Sequence, residues 1–194
     1  MSCVIGILED LCVFIKLNRS ALKVNEELQK LFNNLIQVEH VSSTLYLAMS
    51  AYLGRLNYTG MANWLRLQSE EERTHMLKLI DYVVNKDGTV TLASIPAQPS
   101  DFGTPLETFQ RVLSHEQMVT NSYRQAFNYV SQVDPQASVI IQDFLREQID
   151  EEAQSLTIVN RLNLAGNNPS ALLLLDQELG QRKNGAVAGT PAAG

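Results

Sequence analysis

Apolar residues recur at alternating intervals of four and three along four stretches of this chain, the spacing that lays a single stripe down an α-helix. The first stripe reads Leu28, Phe32, Leu35, Glu39, Ser42, Tyr46, Met49, Leu53, and the second Met61, Leu65, Gln68, Glu72, His75, Leu79, Tyr82. The third reads Phe109, Leu113, Glu116, Thr120, Tyr123, Phe127, Val130, and the fourth Ala137, Ile141, Phe144, Gln148, Glu151, Ser155, Ile158, Leu162. Each stripe is interrupted near its middle by side chains that ligate metals. A buried, unpaired carboxylate costs several kcal/mol, whereas one shared with a cation is compensated. Four interruptions at the same height on four helices therefore point to one shared site.

Start and stop signals bound the stretches. Asn25 caps a helix running to about Leu53, with Gly54 as its stop, and Thr59-Gly60 opens a second that runs to about Lys86 before Asp87-Gly88. Thr104-Pro105-Leu106-Glu107 combines a capping box with Pro at the first helical position, and Asp134-Pro135 and Asn168-Pro169 repeat the cap-then-Pro pattern. The prediction is an all-α chain of five helices: a four-helix bundle and a short fifth helix. Most links are a few residues long, but the seventeen residues from Asp87 to Gly103 carry Pro96 and Pro99 and no helical period. A long central link implies a crossover along the bundle, so the second and third helices run parallel. Within it, Val90-Thr91-Leu92 is expected to lie extended against the bundle. The fifth helix, from Asn168 to about Gly180, carries Ala171-Leu172-Leu173-Leu174-Leu175, apolar on too many sides for a solvated helix, and is expected to be buried by oligomerisation rather than on its own bundle. The domain boundaries are thus 1–24, an extension of unassigned role; 25–180, the bundle; and 181–194, a Gly- and Ala-rich disordered tail.

At 194 residues, 45% of them hydrophobic, one domain with a substantial core suffices. A net charge of −6 and a pI near 5.1 argue against nucleic acid or an anionic membrane as partner and favour cations. The two cysteines, Cys3 and Cys12, lie far along the chain from the carboxylates, so neither a disulfide framework nor a thiolate metal site is indicated, and a reducing, cytoplasmic setting fits. The segment Val4 to Leu17 is apolar but broken by Glu9, Asp10 and Lys16, too short to span a bilayer and without a basic leader. It reads as an extension, with a targeting segment or an alternative start site as the other readings.

The chemistry concentrates in Glu72 and His75, three apart on one helical face, where carboxylate and imidazole reach the same ion. Such a pair is common by chance, and its weight comes from the stripe and from Glu39, Glu116, Gln148 and Glu151 at matching heights. Mixed carboxylate and imidazole ligation without sulfur suits iron or manganese. In order along the chain, Glu39-His40-Val41-Ser42-Ser43-Thr44-Leu45-Tyr46, Ala48-Met49-Ser50, Glu71-Glu72-Arg73-Thr74-His75, His115-Glu116-Gln117 and Glu147-Gln148-Ile149-Asp150-Glu151 resemble the ferroxidase motifs of the ferritin family, over about residues 25 to 180.

The resemblance implies that Glu39 and His75 bind one iron, that Glu72 bridges, that Glu116 and Glu151 bind the other, and that Gln148 hydrogen-bonds near the oxygen-binding face. It implies a diiron ferroxidase that oxidises Fe2+ to Fe3+ with O2 or H2O2, within a homo-oligomeric cage of twenty-four subunits that stores ferric oxyhydroxide. Bacterioferritins carry a second E-x-x-H on the fourth helix and a haem-ligating Met after the bridging Glu. Here those positions are Gln148-x-x-Glu151 and Arg73, so no haem is expected. Glu151 with Glu71, Glu147 and Asp150 resembles the third iron site of prokaryotic non-haem ferritins, and Asn168 through Leu179 resembles the last helix of cyanobacterial ones. The acidic pair lining the threefold channel of animal ferritins is matched by Ser138 and Ile141, so iron entry by that channel is not expected. Tyr46, seven residues after Glu39 on the same face, is expected to serve the site. His40 and His115 are expected at the surface or an interface, and Trp64 and Tyr123 in packing roles. The alternatives are a diiron oxidase or peroxidase without storage, and a structural cage subunit with no catalysis.

Overall fold

The chain, a computed structural model, is described for residues 25–183, so the 1–24 extension and the tail from residue 184 lie outside the described residues. Five helices follow in order: α1 (Glu26–Arg55), α2 (Thr59–Asn85), α3 (Pro105–Val133), α4 (Pro135–Ala165) and α5 (Pro169–Leu179). No strand occurs among the described residues, and no helix there is long and apolar enough to cross a membrane.

The caps read from the sequence close the helix starts. Asn25 Oδ1 accepts from Leu28 N–H at 2.7 Å, and Asp134 and Asn168 each accept from two N–H groups of the turn that follows. At α3 the capping box is reciprocal: Thr104 Oγ1 accepts from Glu107 N–H at 3.2 Å and the Glu107 carboxylate from Thr104 N–H at 2.7 Å. Helix α2 has no local side-chain cap. Its first amides are satisfied by Asp176 of α5, which accepts from Gly60 N–H at 3.1 Å and Met61 N–H at 2.8 Å. This approach requires glycine, because a Cβ at Gly60 would fall 1.7 Å from the Asp176 carbonyl oxygen. The break after α2 falls on Asp87, whose φ of 53° is the left-handed turn that Asp tolerates.

Cross-helix contacts give the direction of each helix. Ser43 meets Ser69 and Ser50 meets Ala62, so α1 and α2 are antiparallel. Glu27 meets Tyr129 and Tyr46 meets Glu116, so α1 and α3 are antiparallel as well. Helices α2 and α3 therefore run parallel, as the long link requires. Tyr82 meets Asp134 and Gln68 meets Glu151, which sets α4 antiparallel to α2. The crossover runs beside α1: Thr89 and Thr91 N–H donate to Gln29 Oε1 and Asn33 Oδ1, each at 2.7 Å, and Val90 packs on the core.

Two apolar clusters occupy the ends of the bundle. One gathers Phe32, Leu79, Tyr123, Val130 and Ile141; the other gathers Met49, Leu53, Trp64, Phe109 and Ile158. Between them lies a buried polar layer. Ile141 is fully buried, so it belongs to the core rather than to a channel wall. Helix α5, expected to be buried by oligomerisation, already has one of its faces covered within the chain. Leu175 and Leu179 are buried against α5's own bundle, while Leu173 and Leu174 remain 55% and 66% exposed. The aspartate cap on α2 fixes which face turns inward.

Candidate metal centre

The polar layer contains Glu39, Ser42, Gln68, Glu72, His75, Glu116, Thr120, Gln148, Glu151 and Ser155, all buried. Each comes from the middle of a stripe, so the helical period that packs the two apolar ends also turns these side chains inward. Glu39, Glu72 and His75 each offer a ligand atom, and these atoms lie within 4.8 Å of one another. His75 Nδ1 is 3.2 Å from Glu72 Oε2, and its Nε2 is 3.0 Å from the half-buried Glu147. The Tyr123 hydroxyl donates to Glu39 Oε1, whereas Glu39 Oε2 has no hydrogen-bond partner among the described residues. That oxygen, buried beside Glu72 and His75, is free to ligate a cation.

Glu116 accepts from the Tyr46 hydroxyl and, at 3.0 Å, from Gln148 Nε2. Gln68 Nε2 spans the remaining gap, donating to Glu72 Oε1 at 2.7 Å and Glu151 Oε2 at 2.8 Å. The four stripe carboxylates and His75 thus share one layer, with the tight ligand group at Glu39, Glu72 and His75.

Electrostatics follow from crowding acids in an apolar interior. Burial, then the charge of Glu72, pushes Glu39 well above the carboxylate range. Burial and the neighbouring acids raise Glu116 to about 8 and Glu151 to about 9. Glu72 is opposed by burial too, but the bond to and charge of His75 outweigh it and hold Glu72 low. Burial disfavours the His75 imidazolium, yet the bonds to Glu147 and Glu72 raise it to about 11. Crowded in this way, Glu39, Glu116 and Glu151 are driven towards the protonated form and His75 towards the imidazolium.

Glu71, Glu147 and Asp150 lie outside the tight group of Glu39, Glu72 and His75, although the charge of Glu71 reaches Glu151. Glu71 bonds Arg182 at 2.7 Å, Glu147 bonds His75 and Lys78, and Asp150 points to solvent. Their positions flank the inward stripe, so each turns towards a different neighbour. His115, expected at the surface or an interface, has its ring turned inwards. It is half-buried edge-on to Tyr46, with Nε2 2.7 Å from Ser42 Oγ. The Ser42 proton goes to the Val38 carbonyl, so His115 Nε2 donates, and burial keeps that ring neutral. His40 is half-buried. Tyr123, read as packing, also bonds Glu39, and Gln68 and Arg182 were not singled out. Tyr123 and Gln68 carried a signal, since both stand in a stripe where an apolar residue would do. Arg182 carried none.

Facing helices that converge carboxylates and an imidazole across the waist of a bundle define a class of metal-holding four-helix proteins. A family model described as the ferritin-like domain matches residues 29–165. A bacterial non-heme ferritin of Bacteroides fragilis is 34% identical over 160 residues, covering 82% of this chain and 99% of that protein. One from Staphylococcus aureus is 32% identical over 160 residues, with 82% and 96% covered. Among solved structures, an open pore ferritin from the hyperthermophilic archaeon Archaeoglobus fulgidus superposes with a TM-score of 0.81 at 34% identity, over 83% of this chain and 99% of that one. The chain belongs to the ferritin family and is of the prokaryotic kind.

Proposed function

We propose that this protein is an iron-storing ferroxidase, acting on Fe2+ as its substrate within a homo-oligomeric cage of twenty-four copies in the cytoplasm. The observation that carries the reading is the buried group of Glu39, Glu72 and His75, ligand atoms within 4.8 Å, in one layer with Glu116 and Glu151. The unpartnered Glu39 Oε2 and the all-oxygen-and-imidazole donor set fit a hard or borderline divalent ion such as Fe2+. Glu39 and His75 would hold one Fe2+, Glu116 and Glu151 the second, with Glu72 between. Each Fe2+ gives up one electron, and the two electrons with two protons reduce O2 to H2O2, or H2O2 to water.

The protein's own groups prepare that step. Glu147 on His75 Nε2 keeps the ring oriented with Nδ1 towards the ligand group. Gln148 and Tyr46 hold Glu116 from either side, and Tyr123 holds Glu39 by Oε1, which leaves Oε2 free to ligate an ion. Cation binding would displace protons from Glu116 and Glu151, whose pKa values are raised, and so limit the charge that builds up in the layer. Ferric product would then leave for the cavity and mineralise.

The test is an anaerobic Fe2+ titration of the assembled protein followed by an O2 pulse, read by stopped-flow absorbance, with electron microscopy of the particles. Oxidation faster than the uncatalysed rate together with mineral-filled shells is expected. Fast oxidation without shells would make it an oxidase lacking storage, and shells without fast oxidation a structural cage.

A further inference from the structure

The segment after α5 returns to the metal layer. Asp176 is seated on the first amides of α2, and Gly180 packs on Gly60, where a Cβ on Gly180 would lie 3.1 Å from Gly60 Cα. This close helix-end contact aims the next residues along α2 rather than into solvent. Arg182 lands one to three turns further on, its guanidinium 4.6 Å from the centre of the Trp64 ring and its side chain only 6% exposed. A residue in a disordered tail would not be so covered.

The fork bonds Gln68 of the layer and two groups beside it on α2. Nη1 donates to Gln68 Oε1 at 2.8 Å and to the Trp64 carbonyl at 3.4 Å, and Nη2 donates to Glu71 Oε2 at 2.7 Å. Gln68 has one carbonyl and one amino group. With Oε1 held by Arg182, both amino hydrogens turn inward, one to Glu72 and one to Glu151. The guanidinium is thus one side chain away from two carboxylates of the ligand layer. It is also the cation paired with Glu71, the acid that adjoins Glu72 in sequence and would otherwise face the outer side of the layer.

We propose that Arg182 is a tethered cation at the outer edge of the metal layer, which locks Gln68 across Glu72 and Glu151 and keeps Glu71 out of the ligand set. This rests on reading the layer as a metal centre. A planar fork suits the task, since it bonds an amide oxygen and a carboxylate at once while its face covers the indole. With this charge in place, a metal ion beside Glu71 meets a like charge and a carboxylate already satisfied. The segment after α5 therefore limits how many ions the layer accepts, and Arg182 is a positioning residue rather than a ligand.

Co2+, which binds oxygen and imidazole ligands without reacting with O2 under these conditions, is the probe. Full-length assembled protein is titrated under nitrogen and followed by the visible absorption of bound Co2+, which reports coordination geometry. Arg182→Gln is expected to take up one further Co2+ per subunit, with a new absorption component, and Arg182→Lys to return the parent stoichiometry because the charge is restored. Glu71→Gln alone is expected to leave the parent stoichiometry unchanged, a result independent of how well the Arg182 variants fold. Identical stoichiometry and spectrum in Arg182→Gln and parent, or a loss of bound Co2+ in Glu71→Gln, would overturn the proposal. Absence of Co2+ binding by the parent, or full binding by Glu72→Ala, would instead overturn the metal centre itself and the inference with it.

Discussion

Single side chains in the buried layer hold one another's charge state, and their substitutions separate binding from reaction. Glu72 pairs with His75 Nδ1 and is the common electrostatic neighbour of Glu39, Glu116 and Glu151. Glu72→Ala should abolish the fast oxidation phase, by at least the roughly 100-fold that loss of mere outer-shell partners reaches, while the particles still assemble. Stopped-flow absorbance after mixing Fe2+-loaded protein with O2 tests this, and an unchanged fast phase would show the site to be misassigned. The two tyrosines divide differently. Tyr123→Phe removes the one donor to Glu39, and since that bond lowers the acid's pKa, the variant should bind Zn2+ more weakly at neutral pH. Tyr46→Phe removes a donor to Glu116 at the other side of the layer and should leave the first ion bound normally. Calorimetric titration of both variants distinguishes the effects; equal losses in the two would refute the division.

At the scale of elements, α5 is held by a glycine and an aspartate rather than by its leucines alone. Gly60→Ala drives a methyl into the Asp176 backbone, so the aspartate cap, the Gly60 and Gly180 contact and the seating of the chain end should be lost together. Loss of a helix cap costs about 1 kcal/mol, but displacement of α5 also uncovers Leu175 and Leu179. Trp64 is the sole tryptophan and lies beneath Arg182, so its fluorescence reports the event. A red-shifted emission and faster amide exchange over residues 169–182 are expected in Gly60→Ala. Emission and exchange like those of the parent would mean that the bundle absorbs the methyl without moving α5. The exposed Leu173 and Leu174 lie on the opposite face, and Leu174→Asp should reduce the particle to smaller species in sedimentation velocity if that face meets other copies.

Across the whole molecule, a cation-free bundle should weaken as pH rises. Glu116 and Glu151 have pKa values of about 8 and about 9 against ordinary values of 4.5, so their contribution is full below about pH 4.5 and is lost as pH climbs through those raised values. His75, raised to about 11 from 6.5, has the same sign: its contribution is full below 6.5 and is lost as pH passes 11. A bound divalent ion takes over from the protons, so its stabilisation should grow over the same interval. Thermal unfolding with and without Zn2+ at about pH 6 and about pH 8.5 should show the larger metal-induced rise in Tm at the higher pH. A shift that does not change with pH would show that the acids are already ionised in the cation-free protein.

How much of this was legible in the chain depends on the range of the interaction. The stripes, the caps at Asn25, Thr104, Asp134 and Asn168, and the long link after Asp87 are local patterns, and period, capping chemistry and link length determine helices and topology without reference to anything distant. The inward position of Glu39, Glu72, His75, Glu116 and Glu151 was legible for the same reason, since a charged residue in an apolar stripe has nowhere else to point. The tertiary structure alone decided which partners those residues find. Tyr123 reaches Glu39 over 84 residues, Asp176 caps α2 over more than a hundred, and Arg182 meets Gln68 from beyond the last helix. Such pairings follow from packing in three dimensions, where distance along the chain imposes only a weak entropic cost and leaves no periodic mark in the sequence.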